Sequence, residues 1–125
     1  MSSLTHWILL GAAGAAGTLA RAAVTNLAVR IAGTGFPWGT LAVNVLGSLC
    51  FGAIVGATRS RLTLPAGGEV VLLVGLLGGF TTFSSHAFQV VELFESGRVG
   101  SAAAYALGAN LLGFLAVWAG LRLAG

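Results

Sequence analysis

The chain has 125 residues, of which 57% are hydrophobic, six are Lys or Arg and three are Asp or Glu. A water-soluble domain of this length needs several times as many surface charges, so the composition excludes an ordinary soluble protein. The net charge of +3 comes from scattered arginines, and a nucleic-acid partner is therefore excluded as well.

Four apolar segments in succession predict an all-α integral membrane protein. The segments are Leu4–Val29, Trp38–Ala57, Glu69–Phe94 and Ser101–Arg122. Each has the length of about 20 residues that a helix needs to cross the hydrocarbon core. Short loops join them, and together they use nearly the whole chain. We therefore expect residues 1–125 to form one multi-pass transmembrane domain in an inner or plasma membrane.

The first predicted span contains one charge, Arg21, and no acidic residue. An ionisable side chain at membrane depth is a functional hypothesis by default. Arg21 can supply a positive field, or it can extend to the interface and bond carbonyls, and the sequence leaves both interpretations open.

Polar and small residues recur every four positions along the second span and therefore share one helix face. This stripe consists of Thr40, Asn44, Ser48, Gly52 and Gly56. It is either a set of hydrogen bonds that hold helices together or the lining of a narrow polar track. Tyr105 begins a similar but less polar stripe in the fourth span.

The third span contains Gly78-Gly79-Phe80-Thr81-Thr82-Phe83-Ser84-Ser85, which predicts a break in mid-membrane. Glycine and short hydroxyl side chains favour breaks and caps over regular helix. Freed carbonyls can coordinate a cation, and the N–H groups of the resumed helix attract anions. Phe83 and His86 lie three residues apart, and an anion can rest against the positive edge of an aromatic ring. The alternative is an ordinary glycine-rich packing site.

The arginines near the span ends are almost balanced between the two sides of the membrane. Arg59, Arg61 and Arg122 share one side, and Arg30 and Arg98 share the other. A protein with one orientation normally carries a clear excess on its cytoplasmic side. The balance predicts insertion in both orientations and hence a dual-topology antiparallel dimer.

The sequence contains few residues in the groupings that catalysis requires. All three acidic residues lie at the ends of the third span, and no nucleophile–base pair or metal-ligand cluster is evident. We therefore expect no enzyme. The absence of a mid-membrane carboxylate also disfavours a proton-coupled exporter.

Three motifs in order resemble the Fluc/CrcB family of fluoride channels: residues 11–21, residues 37–48 and residues 75–84. The resemblance covers the whole chain and implies an antiparallel dimer with two fluoride paths and a central structural sodium ion. Sodium would be bound by the backbone carbonyls of Gly78 and Thr81. The fluoride path would include Asn44, Phe83, Thr40, Tyr105, Ser84 and His86, and the vestibule would contain Arg21.

The chain departs from this family pattern at three places. His86 replaces a second phenylalanine, Gln89 replaces a glutamate, and Ala109 replaces a hydroxyl residue, with Asn110 beside it as a substitute. These changes allow either a homodimer or a heterodimer with a paralogue. They also predict that fluoride passage depends on pH, because imidazole titrates near neutrality.

The leading interpretation is a fluoride channel that exports fluoride passively and protects the cytoplasm. One alternative is a small dual-topology multidrug or cation exporter. The mechanism of that class resembles proton antiport through a glutamate in the first helix, and the first span of this chain has no acidic residue. A second alternative is a structural membrane subunit, which leaves the polar stripe and the broken span unexplained.

Overall fold

The computed structural model describes residues 3–125 and consists of four long helical spans. We number them span 1 (Leu4–Ala32), span 2 (Trp38–Ser60), span 3 (Gly68–Glu95) and span 4 (Val99–Ala124). All four are long and apolar enough to cross a membrane, and each extends a few residues beyond its predicted bounds. The prediction of an all-α membrane fold with four spans is confirmed.

Glycines set the distances between the spans. Span 2 packs closely on span 4, and a Cβ added at Gly52 would overlap the carbonyl of Val117. Span 1 packs on the first part of span 3, where a Cβ at Gly17 would overlap the carbonyl of Leu76. Close backbone approach of this kind is how helices associate in lipid, where apolar burial supplies no driving force. Gly17 and Gly52 therefore serve helix packing.

Span 3 is irregular along its first half and broken at its centre. It runs as α-helix over Gly68–Val70, as π-helix over Val71–Leu77 and again as α-helix over Gly78–Phe80. Thr81 and Thr82 then adopt extended backbone angles, and the helix resumes over Phe83–Glu95. We call residues 68–80 the first half of span 3, residues 81–82 the break, and residues 83–95 the second half. The predicted break is confirmed but is limited to two residues, whereas the π-helical segment was not predicted.

The buried core is small and lies at the end of the bundle that carries the loops between spans 1 and 2 and between spans 3 and 4. Leu93, Ala102 and Tyr105 form it, and Phe36 packs against them. Both loops turn at a glycine with positive φ, Gly33 and Gly97. Most other large apolar side chains face outward, as expected where the solvent is lipid. The core thus fixes the end of the bundle where polar residues from three spans meet.

Candidate functional site

Asn44 of span 2 binds the broken backbone of span 3 through both ends of its amide. Its Nδ2 donates to the Thr82 carbonyl at 3.0 Å, and the Thr82 N–H donates to its Oδ1 at 2.8 Å. Within a continuous helix the Thr82 N–H would donate to the carbonyl of Gly78, four residues earlier. We call this reciprocal pair the Asn44 clamp.

The N–H of Ser85, at the start of the resumed helix, also bonds outside the regular helical pattern. The Ser85 N–H donates to the Thr82 side chain at 3.3 Å, which caps the helix that begins at Phe83. In a continuous helix that N–H would serve the carbonyl of Thr81. The carbonyls of Gly78 and Thr81, which the family resemblance implies as sodium ligands, therefore both lose their regular helical donors.

Two cavities flank the break, and Thr82 lines both of them. The outer cavity has a volume of about 760 Å³ and opens between the loops at residues 33–38 and 96–98. The inner cavity has a volume of about 480 Å³ and reaches toward span 4. Polar residues of the outer cavity include Arg21, Thr25, Thr40, Ser85, Gln89, Glu92 and Arg98. Those of the inner cavity include Asn44, Ser48, Thr81, His86 and Asn110.

A chain of hydrogen bonds connects three spans beside the outer cavity. Tyr105 donates its hydroxyl to Gln89 Oε1 at 2.8 Å, and Gln89 Nε2 donates to Thr40 Oγ1 at 2.9 Å. Tyr105 is 1% exposed and Thr40 is 5% exposed, so solvent cannot pair their hydroxyls, and Gln89 bonds to both of them. The predicted track residues Thr40 and Tyr105 are thus brought together. We call this set the polar chain.

From the sequence, Gln89 is a replacement for a glutamate in the family pattern and is not among the predicted site residues. The sequence did carry a signal for it: Thr82, Ser85 and Gln89 are spaced by three and four residues, which places them on one face of a helix. All three line the outer cavity, whereas His86 turns toward the inner one.

The three predicted path residues that follow the break take different positions. His86 is buried, with its ring centroid 4.5 Å from that of Tyr105 in an edge-to-face arrangement. Phe83 lies at the rim of the inner cavity and is 76% exposed on the single chain. Ser84 is exposed and lines neither cavity, so the single chain does not bring it to the site.

The outer cavity carries a positive charge balance. Arg21 and Arg98 line it together with one acid, Glu92. Arg98 also donates to the Gly35 carbonyl and so connects the two loops at the mouth. Arg21 lies where an anion entering from this end would meet its field, which fits its predicted place in a vestibule.

The inner cavity differs from the outer one because no acidic side chain lines it among the described residues. Amides, hydroxyls and an imidazole face it instead, and these groups can replace the hydration shell of a small anion. Among the described residues there is no group of three His, Cys, Asp or Glu side chains that would hold a metal ion.

Comparison with known proteins places the chain in a family. The family described as "CrcB-like protein, Camphor Resistance (CrcB)" matches residues 8–121. A "Fluoride-specific ion channel FluC" of Nitratidesulfovibrio vulgaris is 46% identical over 114 residues, which cover 91% of this chain and 92% of the relative. The protein of the same description from Agrobacterium fabrum is 44% identical over 115 residues, covering 92% of each. The one from Maridesulfovibrio salexigens is 38% identical over 117 residues, covering 94% of this chain and 93% of the relative.

Proposed function

The chain belongs to the CrcB family, and from this premise we propose that it is a fluoride-selective ion channel. It is a multi-pass protein of the inner or plasma membrane and exports fluoride passively, which reduces fluoride toxicity in the cytoplasm. The observation that carries the proposal is the row of neutral hydrogen-bond donors around the break, with no acidic side chain on the inner cavity among the described residues.

A fluoride ion would leave water at the outer cavity, where Arg21 and Arg98 outnumber the one acid. Moving a small anion out of water costs many kcal/mol unless donors replace its hydration shell. The ion would then pass the polar chain and reach Asn44. One N–H of the Asn44 amide is used by the Thr82 carbonyl, and the other remains to bind fluoride. The clamp thus holds this donor in a fixed orientation before the ion arrives.

An antiparallel dimer would serve the same function. Gly78, Ser84 and Asn110 are exposed on the single chain although they lie within the spans, and lipid cannot pair polar groups. A second copy in the opposite orientation would cover this face, as the near balance of the arginines predicts. Phe83, which stands out from its own chain, would then lie against a fluoride path. The alternative is a heterodimer in which a paralogous chain replaces the second copy. Fluoride flux through this chain purified on its own would argue against that alternative.

A structural sodium ion fits the break. The carbonyls of Gly78 and Thr81 have both lost their regular helical donors, and carbonyl oxygens are ligands that suit a hard cation. Two copies facing each other would supply four such carbonyls. When bound, the ion would add positive charge beside the anion path and hold the two breaks together.

Other functions receive less support. A proton-coupled multidrug or cation exporter needs a titrating carboxylate within the membrane, and the three glutamates lie at residues 69, 92 and 95, near the ends of span 3. A structural subunit does not explain why Thr40, Gln89 and Tyr105 are bonded in a row beside a cavity. The family relatives are described as ion channels, and the chain is assigned no enzymatic reaction.

The proposal is tested by reconstituting the purified chain into liposomes loaded with potassium fluoride and following efflux with a fluoride electrode. Fluoride should leave when a potassium ionophore balances the charge, without any proton gradient. Liposomes loaded with chloride should retain their content. Efflux that requires a proton gradient would favour the exporter, and no efflux of either ion would favour the structural subunit.

A further inference from the structure

Two buried histidine nitrogens have no hydrogen-bond partner among the described residues. They are Nε2 of His6, which is 9% exposed, and Nδ1 of His86, which is 6% exposed. A buried polar atom without a partner destabilises a fold, and native proteins contain few of them. His6 packs against Gly67 at the start of span 1 and lines neither cavity. His86 lines the inner cavity.

The surroundings of His86 contain donors but no acid. From span 2 the inner cavity receives Asn44 and Ser48, and from the break in span 3 it receives Thr81, all of them neutral. The titratable ring that packs on His86 is that of Tyr105 in span 4. The described lining of the inner cavity includes no other titratable side chain.

The charged side chains lie on the other side of the break. Arg21, Glu92 and Arg98 line the outer cavity, which meets the inner one at Thr82. No carboxylate therefore competes for a charged imidazole at His86. In this chain the group that would pair with such a cation has to be an anion that enters the cavity.

We propose that the His86 imidazole is a fluoride-binding donor in the inner cavity and that its protonation strengthens fluoride binding as pH falls. This inference rests on the proposed function. A neutral imidazole offers one N–H, whereas an imidazolium offers two and adds a full positive charge. Because the cavity lies in a medium of low dielectric constant, a charge gained beside the ion changes binding far more than it would in water.

The test measures fluoride efflux from proteoliposomes as a function of fluoride concentration at several pH values. In the wild type, the half-saturating fluoride concentration should fall about tenfold as the pH is lowered from about 7 to about 5, because burial disfavours the charged imidazole at higher pH. Protein-free liposomes at each pH correct for hydrogen fluoride that crosses lipid unaided. A wild-type protein that passes no fluoride at any pH would contradict the proposed channel rather than the role of His86.

Two variants at His86 separate the donor from its titration. His86→Phe removes the nitrogen and keeps an aromatic ring, and its half-saturating concentration should be high and independent of pH. His86→Asn keeps a donor near the Nδ1 position that does not titrate, so its binding should be stronger than that of His86→Phe and equally independent of pH. A wild-type pH dependence that survives in either variant would overturn the proposal.

The matched control is His6→Phe, which removes the other buried histidine from a place outside both cavities. Its pH profile should coincide with that of the wild type. A loss of pH dependence in this variant would assign the effect to His6 and overturn the role of His86. Size-exclusion chromatography of each variant before reconstitution shows that the comparison is made between assembled proteins.

Discussion

Asn44→Ala tests the clamp because it removes both of the hydrogen bonds that tie span 2 to the break. The N–H and the carbonyl of Thr82 would then lack their partners in a region where lipid offers none. An unsatisfied buried polar group costs about 1–3 kcal/mol, so the two together predict a loss of about 2–6 kcal/mol in the free energy of unfolding. The same change deletes the donor offered to fluoride, and we expect flux to fall by at least about tenfold.

Both effects are measured on the same preparation, with thermal unfolding in detergent for stability and the fluoride electrode for flux. The matched control is Asn26→Ala, the same substitution at an exposed position of span 1 that lines neither cavity. It should change neither quantity. If Asn44→Ala loses flux but keeps the stability of the wild type, the hydrogen bonds of the Asn44 clamp do not stabilise the fold, and Asn44 acts on the ion alone. If it keeps both, neither role stands.

Three further predictions concern the polar chain, the rim and the break. Gln89→Leu breaks both bonds of the polar chain and should slow fluoride efflux at least about tenfold, whereas Gln89→Glu can accept from Thr40 and Tyr105 and should retain most of the flux. Equal flux in the two variants would remove the polar chain from the path. Phe83→Ile removes the aromatic edge from an exposed rim position, so it should slow efflux while the protein still elutes as an assembled dimer; full flux would contradict its role. Replacing sodium by N-methylglucamine throughout purification should lower flux and loosen the dimer if the break carbonyls bind sodium, and unchanged flux and elution would argue against that ion.

The fold was largely predictable because one physical constraint dominates it. Charges are so costly in lipid that their positions mark where the spans end. Four apolar stretches with few charges therefore predicted span 1 to span 4 within a few residues, with Arg21 as the exception inside span 1. The break was predictable for a related reason, since Gly78 and the Thr and Ser residues that follow it are poor helix formers. Its restriction to Thr81 and Thr82 depended on where the resumed helix could be capped.

The contacts of the site were less predictable because they join residues far apart in the chain. The Asn44 clamp spans 38 residues and the bond between Gln89 and Thr40 spans 49. Pairings of this kind depend on how the spans are placed against one another, which no local pattern encodes. The stripe on span 2 predicted that Thr40 and Asn44 share a face, yet it did not show that they bind different parts of span 3. The dimer, its orientation and the sodium ion stay predictions.

The central claim is that this chain conducts fluoride selectively, and the reversal potential of the purified protein in a planar bilayer tests it most directly. With unequal fluoride concentrations on the two sides and chloride added to equalise the total anion concentration, the channel account predicts a current that reverses near the equilibrium potential of fluoride. That reversal potential should not respond to a pH difference across the bilayer within a range where His86 keeps one charge state. A reversal potential near zero would show that the two anions pass equally well, and that result would contradict the account.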